Sequence, residues 1–148
     1  MRDDPIMMGA VAGLIANILK AVGSWSFHLM GWLQYTTSHI GAGYFVGLEF
    51  INEPVALAIG IIVDFTIAAF LGVILYQLLK FSGRDYAIWK GVGLSLFFYI
   101  SLAGISLSAD LTRVTLLTPL PNLMLIITHI IFGVTAGWIL GRYAEFRV

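Results

Sequence analysis

Four stretches of the 148-residue chain are almost unbroken in apolar residues. Each is about as long as a helix must be to cross roughly 30 Å of hydrocarbon, which takes about 20 residues. They run over about 5–29, 54–79, 87–107 and 121–140. Proline stands at or near the start of the first, second and fourth, where a first helical turn has no use for the missing N–H. Asn52 and Asn122 add polar partners near two of those starts. The pattern predicts an all-α integral membrane four-helix bundle, a single domain over 1–148 made of two helical hairpins. The first stretch is expected to be a retained helix rather than a signal peptide. Arg2 is followed at once by Asp3 and Asp4, and Lys20 lies inside the apolar run.

The polar positions between the stretches set the orientation. Basic residues near helix ends mark the cytoplasmic side of a membrane protein. One side carries Arg2, Lys80, Arg84, Lys90, Arg142 and Arg147, whereas the other carries only Arg113. Both termini and the 80–90 loop are therefore expected in the cytoplasm. The outer connection 31–53 is long and only mildly polar, with Trp32, Tyr35, Tyr44 and Phe45 suited to an interface. It reads as an interfacial helix or a re-entrant piece, the latter tolerated only where protein or water satisfies its backbone. The second outer connection, 108–120, is shorter and carries Asp110, Arg113, threonines and Pro119. No residue-level repeat relates the two hairpins.

Composition narrows the class further. The chain is 59% hydrophobic and 11% charged, against about 25% charged in a soluble domain. That excludes an ordinary soluble enzyme and a disordered chain. Net charge is zero, so no basic excess exists to hold nucleic acid. The absence of cysteine removes thiolate metal sites, disulfides and cysteine nucleophiles. The partners expected are the lipid bilayer and either further copies of the chain or a partner membrane subunit. The location that follows is a cell membrane, the bacterial cytoplasmic membrane first.

Small residues recur at four-residue spacing in every stretch, which lets helix backbones approach closely in lipid. The first has Gly9, Gly13, Asn17 and Ala21; the second Gly60, Asp64, Ala68 and Gly72. The third has Gly91, Ser95, Tyr99 and Ala103; the fourth His129, Gly133, Gly137 and Gly141. These ridges pack either within one bundle or, for the fourth, against another subunit.

Each ridge also carries a polar residue near mid-span. On a rise of about 1.5 Å per residue, Lys20 lies roughly 21 Å from the start of its helix and Asp64 about 15 Å from Pro54. His129 lies about 12 Å from Pro121, and Tyr99 roughly 15 Å from the inner end near Trp89. All fall in one central layer, and Asn17 shares a face with Lys20. A charge at that depth costs at least about 2.5–3.5 kcal/mol, so Lys20 and Asp64 are expected to face each other. Such a pair either fixes helix register or forms a polar site for a proton, an ion or a polar ligand. His129 is a hydrogen-bonded packing residue or a group that titrates near neutral pH. His28, His39, Glu49 and Glu53 cluster near the outer face, but their spacing matches no compact metal motif, and they read as solvated loop residues.

No GxSxG elbow, HExxH pair, P-loop or dinucleotide fingerprint occurs, and no cofactor is implied. The opening GAVAGLIANILK, the four spans and the size resemble the small four-helix membrane proteins of spore-forming Gram-positive bacteria of the YqhR or YagU type. The resemblance implies a multi-pass membrane layout and transfers no residue roles. The residues themselves favour an oligomeric channel or transporter-like protein with a polar mid-membrane site at Asn17, Lys20, Asp64, Tyr99 and His129. The alternative is a structural or accessory subunit whose polar core only fixes the fold. A lipid-directed enzyme ranks third, because no nucleophile or acid–base pair stands out.

Overall fold

The computed structural model describes residues 4–114 and 118–144. Arg2 and Arg147, counted above for orientation, lie outside them. The described residues form helices and turns without a strand. Five α-helices follow in order: α1 (Pro5–Leu29), α2 (Thr37–Ala42), α3 (Pro54–Ser82), α4 (Ala87–Ser108) and α5 (Pro119–Tyr143), with a short 3₁₀ turn at Leu48–Phe50 before α3. Among the described residues, α1, α3, α4 and α5 are long and apolar enough to cross a membrane. Large apolar side chains cover their outer faces: Val22, Ile62, Phe70, Phe97 and Ile100 are each more than half exposed. Water would penalise such a surface; hydrocarbon does not.

Local chemistry explains where the helices begin and end. The Asp4 carboxylate accepts from the backbone N–H groups of Ile6 and Met7, and Pro5 fills the first helical position. Asn52 and Asn122 cap neither helix: Glu53 and Thr118 hold the cap positions of α3 and α5 without a side-chain bond. The α3–α4 loop turns through Gly83 and Tyr86, both at positive φ, and Lys90 Nζ donates to the carbonyls of Ser82 (3.0 Å) and Gly83 (2.9 Å). A cation there complements the end of the α3 dipole.

The helices stand in the order α3–α1–α5–α4. Antiparallel α1 and α3 pack closely, as do antiparallel α4 and α5, while α1 and α5 join the two pairs. Alanine, glycine and leucine fill the half nearest the termini, with Ala12, Ala16, Leu75, Leu79, Ala136 and Leu140 buried.

The two hairpins repeat one set of contacts that no sequence identity reveals. A methyl group added at Gly13 would collide with the Ala68 carbonyl and lie 3.2 Å from Gly72 Cα. One added at Gly91 would collide with the Gly133 carbonyl and lie 3.2 Å from Gly137 Cα. Gly72 likewise abuts the Gly9 carbonyl, and Gly137 the Ala87 carbonyl. The ridges of α1 and α5 are thus used inside the bundle: Gly9 and Gly13 against α3, and Gly133 and Gly137 against α4. Gly141 abuts the Ala87 side chain. Of the two uses open to the α5 ridge, the contact within the chain is the one observed.

The opposite end is capped. α2 lies against α3, where Gly41 meets Gly60 through backbone alone. Its residues Thr37, Ser38, His39, Gly41 and Ala42 are buried. Arg113 N–H donates to the Gly43 carbonyl (2.9 Å), and Val114 packs with Ala42, Ile51 and Ala56. The two connections therefore form one lid. Lys80, Arg84, Lys90 and Arg142 lie at the other end.

Candidate functional site

Below the lid, α1 and α3 bring Lys20 and Asp64 together. The Lys20 ammonium donates to Asp64 Oδ1 at 2.5 Å, with the two side chains 7% and 11% exposed. Asp64 Oδ2 accepts from Asn17 Nδ2 (3.2 Å) and Thr37 Oγ1 (3.1 Å). Three donors on one carboxylate offset most of the cost of removing it from water. Lys20 Nζ also lies 5.9 Å from the centre of the Phe132 ring, within cation–π range. Asn17 is fully buried, and its Oδ1 has no hydrogen-bond partner among the described residues. Ser24 Oγ holds the start of α2 by accepting from Thr37 N–H (3.1 Å).

On α4 and α5 the corresponding layer holds Tyr99 and His129, whose rings lie 4.6 Å apart. His129 Nδ1 bonds the Leu125 carbonyl (2.8 Å), and a carbonyl only accepts, so Nδ1 carries the proton and Nε2 of the neutral ring is an acceptor. Ser95 Oγ donates to the His129 carbonyl (2.8 Å). Tyr99 Oη donates to Asn122 Oδ1 (3.0 Å), and Asn122 Nδ2 donates to the Thr118 carbonyl (3.0 Å).

A cavity of about 140 Å³ joins these two layers. Its polar floor is Lys20, Asp64 and His129, and its walls are apolar side chains of α3 and α4, among them Ile67, Leu71, Phe98 and Leu102. The reason for the space is topological. α3 and α4 are linked by a tight loop yet barely touch along their length, because each is packed on a different partner. The lid closes the space from above, where Tyr44 Oη and Ser106 Oγ bond at 2.6 Å.

Four of the residues singled out in the sequence, Lys20, Asp64, Tyr99 and His129, line this one cavity; Asn17 stands behind the ion pair. Thr37, Ser24, Tyr44 and Ser106 were not anticipated. Thr37 had one signal, the hydroxyl-rich YTTS run in a segment otherwise apolar.

His39 is not a solvated loop residue, contrary to expectation: it is 3% exposed, packed against Trp25, His28 and Tyr35. Its Nδ1 accepts from Thr36 N–H (3.2 Å) and meets Thr36 Oγ1 at 2.7 Å, a reciprocal cap on α2. Burial holds His39 below the usual histidine range, the neighbouring His28 adds to this, and a hydrogen bond with Asn52 opposes it. Glu49 and Glu53 are exposed, and no group of three potential metal ligands forms among the described residues. Comparison of the chain with protein-family models, curated proteins and solved structures gives no match in any of the three.

Proposed function

We propose that this chain is a transporter-like protein of the cytoplasmic membrane that admits a small ligand into the cavity between α3 and α4. The observation that carries the reading is the meeting of an apolar, laterally placed cavity with a buried Lys20–Asp64 pair at its floor. Intramembrane ionisable groups facing a cavity mark ligand and ion pathways. A channel fits less well: the lid covers the cavity at one end, and glycine contacts and buried leucines close the half of the bundle nearest the termini. The basic ends at Lys80, Arg84, Lys90 and Arg142 favour an orientation with both termini in the cytoplasm and the lid outside. α2 then lies in the outer half of the bilayer as a re-entrant piece.

The accessory-subunit reading has one observation in its favour: the ion pair is already satisfied within the chain, as a register-fixing device would be. Native mass spectrometry of the protein released from membranes separates the two. A small molecule held by the wild type and lost from a stable Lys20→Met, Asp64→Asn double variant supports the ligand site. Its movement across reconstituted vesicles then tests transport. A double variant that is stable and loses neither ligand nor flux overturns the reading in favour of the accessory role.

A further inference from the structure

The polar groups around the cavity differ in what they have left to offer, and this selects a ligand. Asp64 is saturated on the side of donors: Lys20 on Oδ1, Asn17 and Thr37 on Oδ2. A cationic head would have to displace one of them. Lys20 spends one of its three N–H groups on Asp64 and makes no other hydrogen bond among the described residues, so donors remain. His129 has its Nδ1 committed to Leu125, which leaves Nε2 as an acceptor without a partner among the described residues. Lys20 and Asp64 cancel in charge, and the walls are hydrocarbon. An anionic head would leave one net charge in an apolar enclosure, the arrangement that buried sites avoid.

We infer that the cavity binds an uncharged lipid-like molecule whose head is a single hydroxyl or ketone oxygen, accepting from Lys20, with a hydroxyl also donating to His129 Nε2. The inference rests on the cavity being the ligand site. Its volume matches the head and first few carbons only, since an apolar cavity of roughly 150 Å³ holds about one benzene ring. The remaining chain passes out between α3 and α4, the cavity-lining helices that barely touch along their length. Entry is therefore lateral, from the bilayer, and needs no water-filled path.

The test uses the full chain in phosphatidylcholine nanodiscs. The probe is a hexadecanol analogue with a diazirine in its chain, and the competitors are hexadecanol, 2-hexadecanone, hexadecane, hexadecanesulfonate and hexadecyltrimethylammonium. The expected result is labelling of cavity-facing peptides of α3 and α4. Hexadecanol and the ketone should displace the probe at concentrations at least about tenfold below the alkane and both charged chains, a gap of about 1.4 kcal/mol. Ala103→Trp and Ile67→Trp, on opposite walls, should each abolish labelling where melting is unchanged. The competition series runs on the unaltered chain, so it is decisive even if neither variant folds. Equal competition by all heads, or preference for a charged head, overturns the inference while leaving the cavity as a ligand site. Labelling that both folded tryptophan variants leave intact overturns the site as well. Selective binding of the alcohol without flux in vesicles removes only the transport reading.

Discussion

Lys20→Met removes the ammonium and leaves the Asp64 carboxylate with two neutral donors, Asn17 and Thr37, in apolar surroundings. Asp64→Asn leaves the Lys20 ammonium, 6% exposed, facing an amide and the Phe132 ring. Breaking a buried pair in this way costs about 3–5 kcal/mol in soluble proteins, and a lone charge at mid-membrane costs at least about 2.5–3.5 kcal/mol. Each single variant should therefore lose about 3 kcal/mol. The double variant carries no buried charge. Asn17 and Thr37 still find the carbonyl oxygen of the new asparagine, so its loss should stay near the 1–2 kcal/mol of weakened neutral hydrogen bonds. The pair should then be coupled by several kcal/mol, far beyond the roughly 0.5 kcal/mol scatter of independent sites. Reversible unfolding in mixed micelles, followed by circular dichroism, measures all four corners of the cycle. Additive losses would mean that the two charges do not compensate each other, and the site as described would fall.

Three further outcomes follow from particular contacts. Gly13→Leu and Gly137→Leu should unfold or loosen the bundle, since a Cβ at either meets backbone of the facing helix, whereas Gly93→Leu and Gly104→Leu, with nothing within 4 Å, should melt like the wild type; equal melting of all four would remove the argument for zipped hairpins. Single cysteines placed at Arg84 and Arg113 in this cysteine-free chain should label from opposite sides of the membrane, Arg84→Cys from the cytoplasm, and labelling of both from one side would refute the bundle's orientation. His39 binds protons less readily folded than unfolded, so its contribution to stability is whole above the ordinary histidine value of about 6.5 and is lost as pH falls below it. Protonation also turns Nδ1 from acceptor to donor and breaks the Thr36 cap, so melting should drop as pH falls below about 6.5 in the wild type and much less in His39→Gln; identical pH profiles would show that His39 is not the responsible group.

The four long helices were legible because hydrocarbon imposes a length and a composition that few other constraints imitate. Lys20 and Asp64 were legible for a related reason: in an apolar run a charge is so costly that its partner must be the other charge at the same depth. The cavity was not legible. It arises from which helices pair, and small-residue ridges on all four spans do not say whether α3 meets α1 or α4. The role of Thr37 was hidden as well, because a hydroxyl in a loop carries no sign of the depth to which the loop folds back. His39 misled for the same reason: a histidine beside threonines and glycine looks solvated until α2 is seen to be buried.

The repeated hairpin contacts explain why the polar layer has the form it does. Gly13, Ala68 and Gly72 in the first hairpin occupy the places of Gly91, Gly133 and Gly137 in the second. One turn further from the termini, Asp64 stands where His129 stands, and Asn17 where Ser95 stands. The backbone geometry is shared, but the side chains placed on it are not. The first hairpin folds its connection back as α2 and uses Thr37 to complete a charged cluster. The described residues of the second connection form no such helix, and His129 and Tyr99 pack ring to ring beside the cavity. With charge on one side and an imidazole anchored only through Nδ1 on the other, the space between the hairpins is polar at its floor and hydrocarbon at its walls. The divergence between the halves thus sets charged groups at one side of the cavity and an imidazole at the other. Exchanging the layer, with Asp64→His and His129→Asp in one chain, should keep the glycine contacts and the helical fold while separating Lys20 from its carboxylate. A melting temperature equal to wild type for that exchange would show the two halves to be interchangeable and the asymmetry to be incidental.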